Sequence, residues 1–444
     1  MALAISSAKT DITPAPAENP YMAGFATDQP RQATGAQSPL YARCLIFWDD
    51  GFPNAIVVAD VLAFARPLHQ SIHQQVRALN SDWAYSDVIL AAQHTHNGPV
   101  LPGELDPYIS YNITDLSLVN SYATRLETKI VDVVRAALDA TRIPCTLDYK
   151  VASQGFSFNR EGLPYQETAV PVLVARNGNG QPAAVLFSFG THPVTAGAQS
   201  LWDGDYPALA CSVVEAAIPD CFALFVLGPH GDQDPIGAAG WSLRTQHGTS
   251  LGNAVVSATG SPGRAVGGPI RTHFEDVILP LDVTDTPENL AAVRGIYEVR
   301  RDSAGFGFYR RHAELMIQEI DHHDFATEIP LPVHVWQLQG SPALRIALTG
   351  GELVSGYAVY LRNLYGGPDG ILVGGCAGEV PSYVPSDELL PPVRSTGSYA
   401  GGWDADSSGI AGGSMTVYRQ IGHFRAGAGG AESRLIAALT SALA

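Results

Sequence analysis

Lysine is almost missing from this chain: Lys9, Lys129 and Lys150 are the only lysines in 444 residues, and arginine carries the rest of the positive charge. With 26 basic against 43 acidic side chains the formal net charge is −17. Nucleic acid and anionic membrane surfaces are drawn to basic fields, so neither is expected as a partner. A small neutral or cationic molecule fits better. No run approaches the roughly 20 apolar residues that a membrane span requires, so no membrane anchor is expected. The start, Met1-Ala2-Leu3-Ala4-Ile5-Ser6-Ser7, lacks a basic stretch followed by a long apolar core, which predicts no secretory leader and a cytoplasmic protein. Cysteine is sparse: Cys44, Cys145, Cys211, Cys221 and Cys376 are odd in number, scattered and without a CxxC pair. They read as reduced core residues, neither a zinc knuckle nor a disulfide frame. Nothing resembles a linker, a repeat or a low-complexity tail, so one unit over 1–444 is expected, as a monomer or a homo-oligomer.

What is present is an alternation of short apolar runs and longer helical patterns, which predicts an α/β protein with a mixed β-sheet core flanked by helices. Strands are expected at 43–48, 55–61, 88–92, 146–152, 170–175, 183–189, 222–227, 277–283, 333–338, 344–349 and 371–374. Helices are expected at 67–80, 118–140, 207–217, 246–259, 287–320, 353–365 and 431–443. The glycine-rich stretches 260–268 and 401–413 read as loops, and 11–35 as an ordered loop laid over a site face.

The apolar run Asp87-Val88-Ile89-Leu90-Ala91-Ala92 leads into His94-Thr95-His96-Asn97-Gly98-Pro99. If the backbone stays extended, residues two apart share a face, and both imidazoles address one ion or one substrate. Two ordinary polar residues at a strand end give the same pattern. A second apolar strand ends in Gly190-Thr191-His192-Pro193. Alone, His192 reads as a structural or capping residue, but strand ends of one sheet bring their side chains to a common edge. In Thr349-Gly350-Gly351-Glu352-Leu353 a strand passes through two glycines into a helix, where the dipole favours a carboxylate as a cation ligand or simply as a helix stabiliser. Asp321-His322-His323-Asp324 reads as a solvated helix end.

These segments belong to a longer ordered series: Asp11-Ile12-Thr13-Pro14, Met22-Ala23-Gly24-Phe25-Ala26, Tyr41-Ala42-Arg43, Asn159-Arg160, Asp205-Tyr206-Pro207, Gly231-Asp232-Gln233-Asp234-Pro235 and Ser382-Tyr383-Val384-Pro385. With them, the chain resembles the catalytic domain of the neutral, or non-lysosomal, ceramidases from about residue 4 to about residue 419. The short bacterial members, which lack the C-terminal immunoglobulin-like domain, resemble it most. The resemblance implies a single catalytic domain that binds one Zn2+ through His94, His192, Glu352 and Tyr383. Such a donor set keeps a position open for water. It implies further that His96 faces the substrate side, that Asn159 and Arg160 lie near substrate polar groups, and that Arg160 or Tyr399 stabilises an oxyanion. Asp205 and Asp232 are read as fixing loops and orienting the histidines.

Two departures bear on the chemistry. The family carries a Thr-Gly-Glu-Ser-Cys segment after its Gly-Asp loop, whereas the stretch Ile236-Gly237-Ala238-Ala239-Gly240-Trp241-Ser242-Leu243-Arg244 has no such motif. Attack by zinc-activated water, without a serine, is therefore the expected mechanism. His230 stands where the family has a small residue, as a substrate contact, a proton carrier or a strand-end residue of no special role. An acidic chain without anchor or basic amphipathic helix has no evident way to reach ceramide in a membrane, so a smaller soluble N-acylated compound is the expected substrate. Hydrolysis of an ester, lactone or glycosidic bond, and a non-catalytic metal- or ligand-binding role, are the alternatives.

Overall fold

Strands covered on both faces read as unbroken apolar runs, and this chain has such runs because two sheets pack face to face with helices outside each. The structure, a computed structural model, describes residues 3–402, 418 and 420–444. Most of the glycine-rich stretch expected as a loop at 401–413 lies outside the described residues. The first sheet contains β1 (Leu3–Asp11), β2 (Tyr41–Asp49), β3 (Phe52–Ala59), β4 (Val88–Ala92) and β5 (Ile143–Pro144), in the order β4-β3-β2-β1-β5. The second contains β6 (Thr146–Ser153), β7 (Ala169–Arg176), β8 (Pro182–Phe189), β9 (Phe222–Leu227), β10 (Arg264–Pro280), β11 (Glu328–Gly340), β12 (Leu344–Thr349) and β13 (Ile371–Gly374). Its order is β9-β8-β7-β6-β10-β11-β12-β13. The expected class, a mixed α/β core flanked by helices, is what the chain adopts.

The α-helices among the described residues are α1 (Arg66–Arg77), α2 (Pro107–Tyr111), α3 (Ser117–Asp139), α4 (Asp205–Ala217), α5 (Trp241–Thr259), α6 (Pro287–Ser303), α7 (Gly307–His322), α8 (Ser355–Tyr365) and α9 (Ala431–Ala442). Three of them, α1, α4 and α8, are crossovers between the parallel pairs β3–β4, β8–β9 and β12–β13. Alternation along β2 and β3 shows the layering. Leu45, Phe47, Ile56 and Val58 face Leu173, Leu186, Leu224 and Trp336 of the second sheet. Their neighbours Ile46, Trp48 and Val57 pack with Ile72, Val76, Leu126 and Ile130 of α1 and α3. Each fully buried aliphatic side chain of this kind contributes about 1.5–3 kcal/mol.

The chain after β13 ties both sheets together at one end. Gly375 N donates to Leu227 O at the end of β9 (3.0 Å), and Ala92 N at the end of β4 donates to Cys376 O (2.9 Å). The carboxyl ends of β4, β8, β9, β12 and β13 are thus gathered at one place.

Among the elements that differ from expectation, three have a clear physical cause. Strand β1 carries Ser, Lys and Thr among its apolar residues, and only its in-register pairing with β2 makes it a strand. Strand β10 begins at Arg264, inside a stretch expected to be a loop, because its glycines sit at a register irregularity against β11 between Gly267 and Arg271. The helix expected at 287–320 is two helices, broken at Ala304-Gly305-Phe306. Within this segment Tyr297 and Met316 are core residues, whereas Phe306, Phe308 and Tyr309 line a cavity.

Three buried histidines, His69, His73 and His334, surround Tyr85 and Phe274 where α1 meets β11. Burial pushes His69 down to about 3 and His73 to about 4, and holds His334 well below its usual value. The unfolded chain therefore takes up these protons near pH 6.5 while the folded protein does not, so stability is full above about pH 6.5 and falls as pH drops toward the folded values. Each such histidine costs about 1.4 kcal/mol per pH unit in that window. Neither ring nitrogen of His334 has a hydrogen-bond partner among the described residues, so phenylalanine loses no bond there. Urea unfolding at pH 7 and pH 5.5 is expected to show a smaller acid loss for His334→Phe than for the parent, and equal losses contradict this account.

Candidate metal centre

Each site residue follows the carboxyl end of a strand. Residue His94 comes two after β4, and its amide still bonds to Val61 O beyond β3 (2.8 Å). Its φ of 70° is left-handed, so the backbone is not extended there and the strand-face argument for His94 and His96 does not apply. The two rings nevertheless lie 5.1 Å apart, because the turn swings them toward one space. Strands β8 and β9 pair in register, Phe189 opposite Leu227, and His192 and His230 each come three residues further on. Their loops touch so closely that a Cβ on Gly190 would lie 2.3 Å from Pro229 O. Residue Glu352 follows β12 in a short bridge, Glu352–Leu353, that pairs in parallel with Tyr383–Val384.

The imidazoles are aimed by backbone carbonyls. His94 Nδ1 lies 2.8 Å from Leu62 O, His192 Nδ1 2.9 Å from His230 O, and His230 Nδ1 3.0 Å from Gly228 O. Donating through Nδ1 leaves each Nε2 lone pair free, the tautomer a metal needs. His94 Nε2 and His192 Nε2 stand 3.4 and 3.1 Å from Glu352 Oε2, and Tyr383 Oη stands 3.5 Å from His192 Nε2. Zinc bonds of about 2.0–2.2 Å place the corners of a tetrahedron about 3.3–3.6 Å apart, so these spacings suit one ion. His94, His192, His230 and Glu352 are all buried, with ligand atoms within 4.8 Å of one another. His96 is not one of that group.

Electrostatics support a cation at this point. Burial alone would raise the Glu352 carboxyl, but the His94 and His192 imidazoles outweigh it and hold the group well below the usual range. Burial and the neighbouring imidazoles keep His96 and His230 well below theirs, hence neutral. His94 runs the other way: Cys376 and Glu352 overcome its burial and raise it, so a proton supplies the positive charge beside the carboxylate. The donors present fit a divalent ion.

The other expected site residues divide by location. His96 faces a cavity of about 210 Å³ that also reaches His94, Glu352, Tyr383 and Tyr399. Both of its ring nitrogens are buried and lack a hydrogen-bond partner among the described residues. Arg160 donates to Tyr383 Oη (2.9 Å) and Gly231 O (2.7 Å), and its guanidinium lies 5.3 and 5.0 Å from the Tyr383 and Tyr399 ring centres. It braces the phenols and does not line the cavity. Asn159 donates to Asp232 (2.7 Å) and accepts from Glu161 N and Leu163 N, so it is occupied in holding loops. Asp232 accepts from Ser355 N and Oγ at the start of α8, and Asp205 from Thr195 and Ala196. Both carboxylates fix loops, but the imidazoles are oriented by carbonyls instead. His230 is fully buried and is not among the cavity-lining residues.

Two buried groups had no sequence signal. The Cys376 thiol lies 3.7 Å from His94 Nδ1 and 3.6 Å from His230 Nε2. Glu104, 1 % exposed, has its carboxyl pushed well above the usual range by burial, with His94 pulling it back. The aromatic wall of the cavity is positioned by Asp28, which accepts from Gly307 N (3.1 Å) and Arg311 Nη1 (2.9 Å) and so clamps the α6–α7 break to the loop before β2.

Residues 4–169 match the family model described as neutral/alkaline non-lysosomal ceramidase, N-terminal. Neutral ceramidase from Pseudomonas aeruginosa aligns with a TM-score of 0.64 at 17% identity, over 95% of this chain and 73% of that one. A ceramidase structure described as complexed with C2 gives a TM-score of 0.63 at 16% identity, over 94% of this chain and 74% of that one. No curated protein shows significant similarity. Residues 4–169 are thus similar in sequence to the N-terminal part of the neutral/alkaline non-lysosomal ceramidases, and nearly the whole chain shares the fold of the two ceramidase structures.

Proposed function

We propose that the chain, acting as one domain over 1–444, is a zinc-dependent hydrolase that cleaves an amide bond in a small soluble N-acylated compound. The observation that carries this reading is the buried group of imidazoles and one carboxylate, spaced for an ion, at the floor of a cavity that also exposes a neutral imidazole. His94, His192 and Glu352 would hold the zinc, with Tyr383 completing the set on the cavity side. Zinc at such a site lowers the pKa of a water molecule toward about 7 and polarises a carbonyl.

The chain's own groups then have distinct tasks. His96, neutral and facing the cavity, takes up a proton and passes it to the leaving nitrogen. Tyr399, packed edge-on against Tyr383, places a hydrogen-bonding group where an oxyanion would develop, while Arg160, donating to the Tyr383 oxygen, holds that phenol in place. Phe306, Phe308, Tyr309 and Leu105 give the cavity an apolar wall. A cavity of about 210 Å³ compares with the roughly 150 Å³ that encloses benzene, which favours an aryl or short acyl group over a long chain. No described helix is long and apolar enough to cross a membrane, and the charge of −17 gives no attraction to an anionic one. A cytoplasmic setting with a water-soluble substrate follows from this reading.

Protein purified without chelator is expected to hold about one zinc per chain, and His94→Ala little; equal zinc in both defeats the assignment. A panel of N-acyl, ester, lactone and glycoside compounds is expected to show amide turnover, strongest for compact acyl groups. Ester or glycoside turnover with no amide turnover removes the amide reading. For His96→Ala, zinc content is expected to stay at the parent level while kcat falls by about 10²–10⁴-fold. Lost zinc, or an unchanged kcat, contradicts a proton-carrying role.

A further inference from the structure

We infer that His230 is a ligand of the same metal, giving a site of three imidazoles and one carboxylate in which Tyr383 is the displaceable donor. This rests on the metal reading above, and it gives a ligand role to a residue that the sequence offered as a substrate contact, a proton carrier or a strand-end residue. Backbone structure places His230 against the carboxylate. His230 N and Gly231 N both donate to Leu353 O, at 3.0 and 2.9 Å, so the loop is bonded to the residue after Glu352. A Cβ on Gly231 would lie 2.5 Å from Glu352 O, which means only glycine permits so close an approach.

The side chain is aimed in the same manner as the two other imidazoles. Its Nδ1 is held by Gly228 O, which turns Nε2 inward. Its ring centre is 5.0 Å from that of His94 and 5.1 Å from that of His192. The residue is 0% exposed, and Nε2 meets the Cys376 thiol at 3.6 Å, a weak donor that a metal ion readily replaces.

Position relative to the cavity separates His230 from Tyr383. Tyr383 lines the cavity and is braced by Arg160, while His230 stands on the closed side. His94, His192, His230 and Glu352 would hold the ion from fixed backbone positions, and Tyr383 would be the donor nearest the cavity.

The test uses the full chain loaded with zinc or with Co(II). X-ray absorption of the zinc-loaded parent is expected to show three imidazoles in the metal shell. Chelator competition is expected to show His230→Gln losing more zinc affinity than the about 10- to 100-fold typical of an outer hydrogen-bonding partner, and more than Tyr383→Phe loses. The visible spectrum of the Co(II) form is expected to change in His230→Gln. A two-imidazole shell, or His230→Gln with parental affinity and an unaltered Co(II) spectrum, overturns the inference. Should His230→Gln fail to fold, the absorption measurement on the parent decides alone. A parent that binds no zinc overturns the metal reading, and this inference with it.

Discussion

An ionised carboxylate sealed from water must be matched by positive charge or by a metal, and Glu352, 3 % exposed, is such a group. Much of the fold near it can be understood as meeting that demand. Two imidazole nitrogens lie within 3.4 Å of one of its oxygens, and each belongs to a strand end of a different crossover unit. Bringing those ends together requires that the two sheets be stitched at one end. The bonds from Ala92 to Cys376 and from Gly378 to Leu90 do this, and that from Gly375 to Leu227 links the two edges of the second sheet. Glycines at 190 and 231 remove the Cβ atoms that would hold the loops apart.

Orientation is supplied by backbone and not by acids. Carbonyls of Leu62, Gly228 and His230 fix the three imidazoles, so their aim is set by the same strand ends that place them. The carboxylates of Asp205 and Asp232 work one step further out, holding the loops of which those carbonyls are neighbours. The site has two unlike sides in consequence. The closed side holds His230 and Cys376, whereas the open side presents His96, Tyr383, Tyr399 and the aromatic wall clamped by Asp28.

The strands that carry the site were legible because their residues are mostly buried on both faces, which makes β4 and β8 largely apolar runs and leaves Arg345 as the one charged residue of β12. His94, His192 and Glu352 stood out for that reason, and family resemblance added Tyr383. Less legible were features set by pairing alone. Strand β1 is half polar, and β10 contains glycines and a bulge, so neither announces itself without its partner. Arg160 was recognised, but its tether to the Tyr383 oxygen lies 223 residues away along the chain. The place of His230 depended on the register of β8 against β9, which no local pattern encodes. Cys376 and Glu104 lie in ordinary loop sequence, and only burial distinguishes them.

Anomalous diffraction at the zinc absorption edge, from crystals of protein purified without chelator, tests the central claim most directly. The account predicts one strong peak within bonding distance of His94, His192 and Glu352, on the floor of the cavity. A peak bonded to His96 in place of His94, or no peak in that cluster, would contradict it.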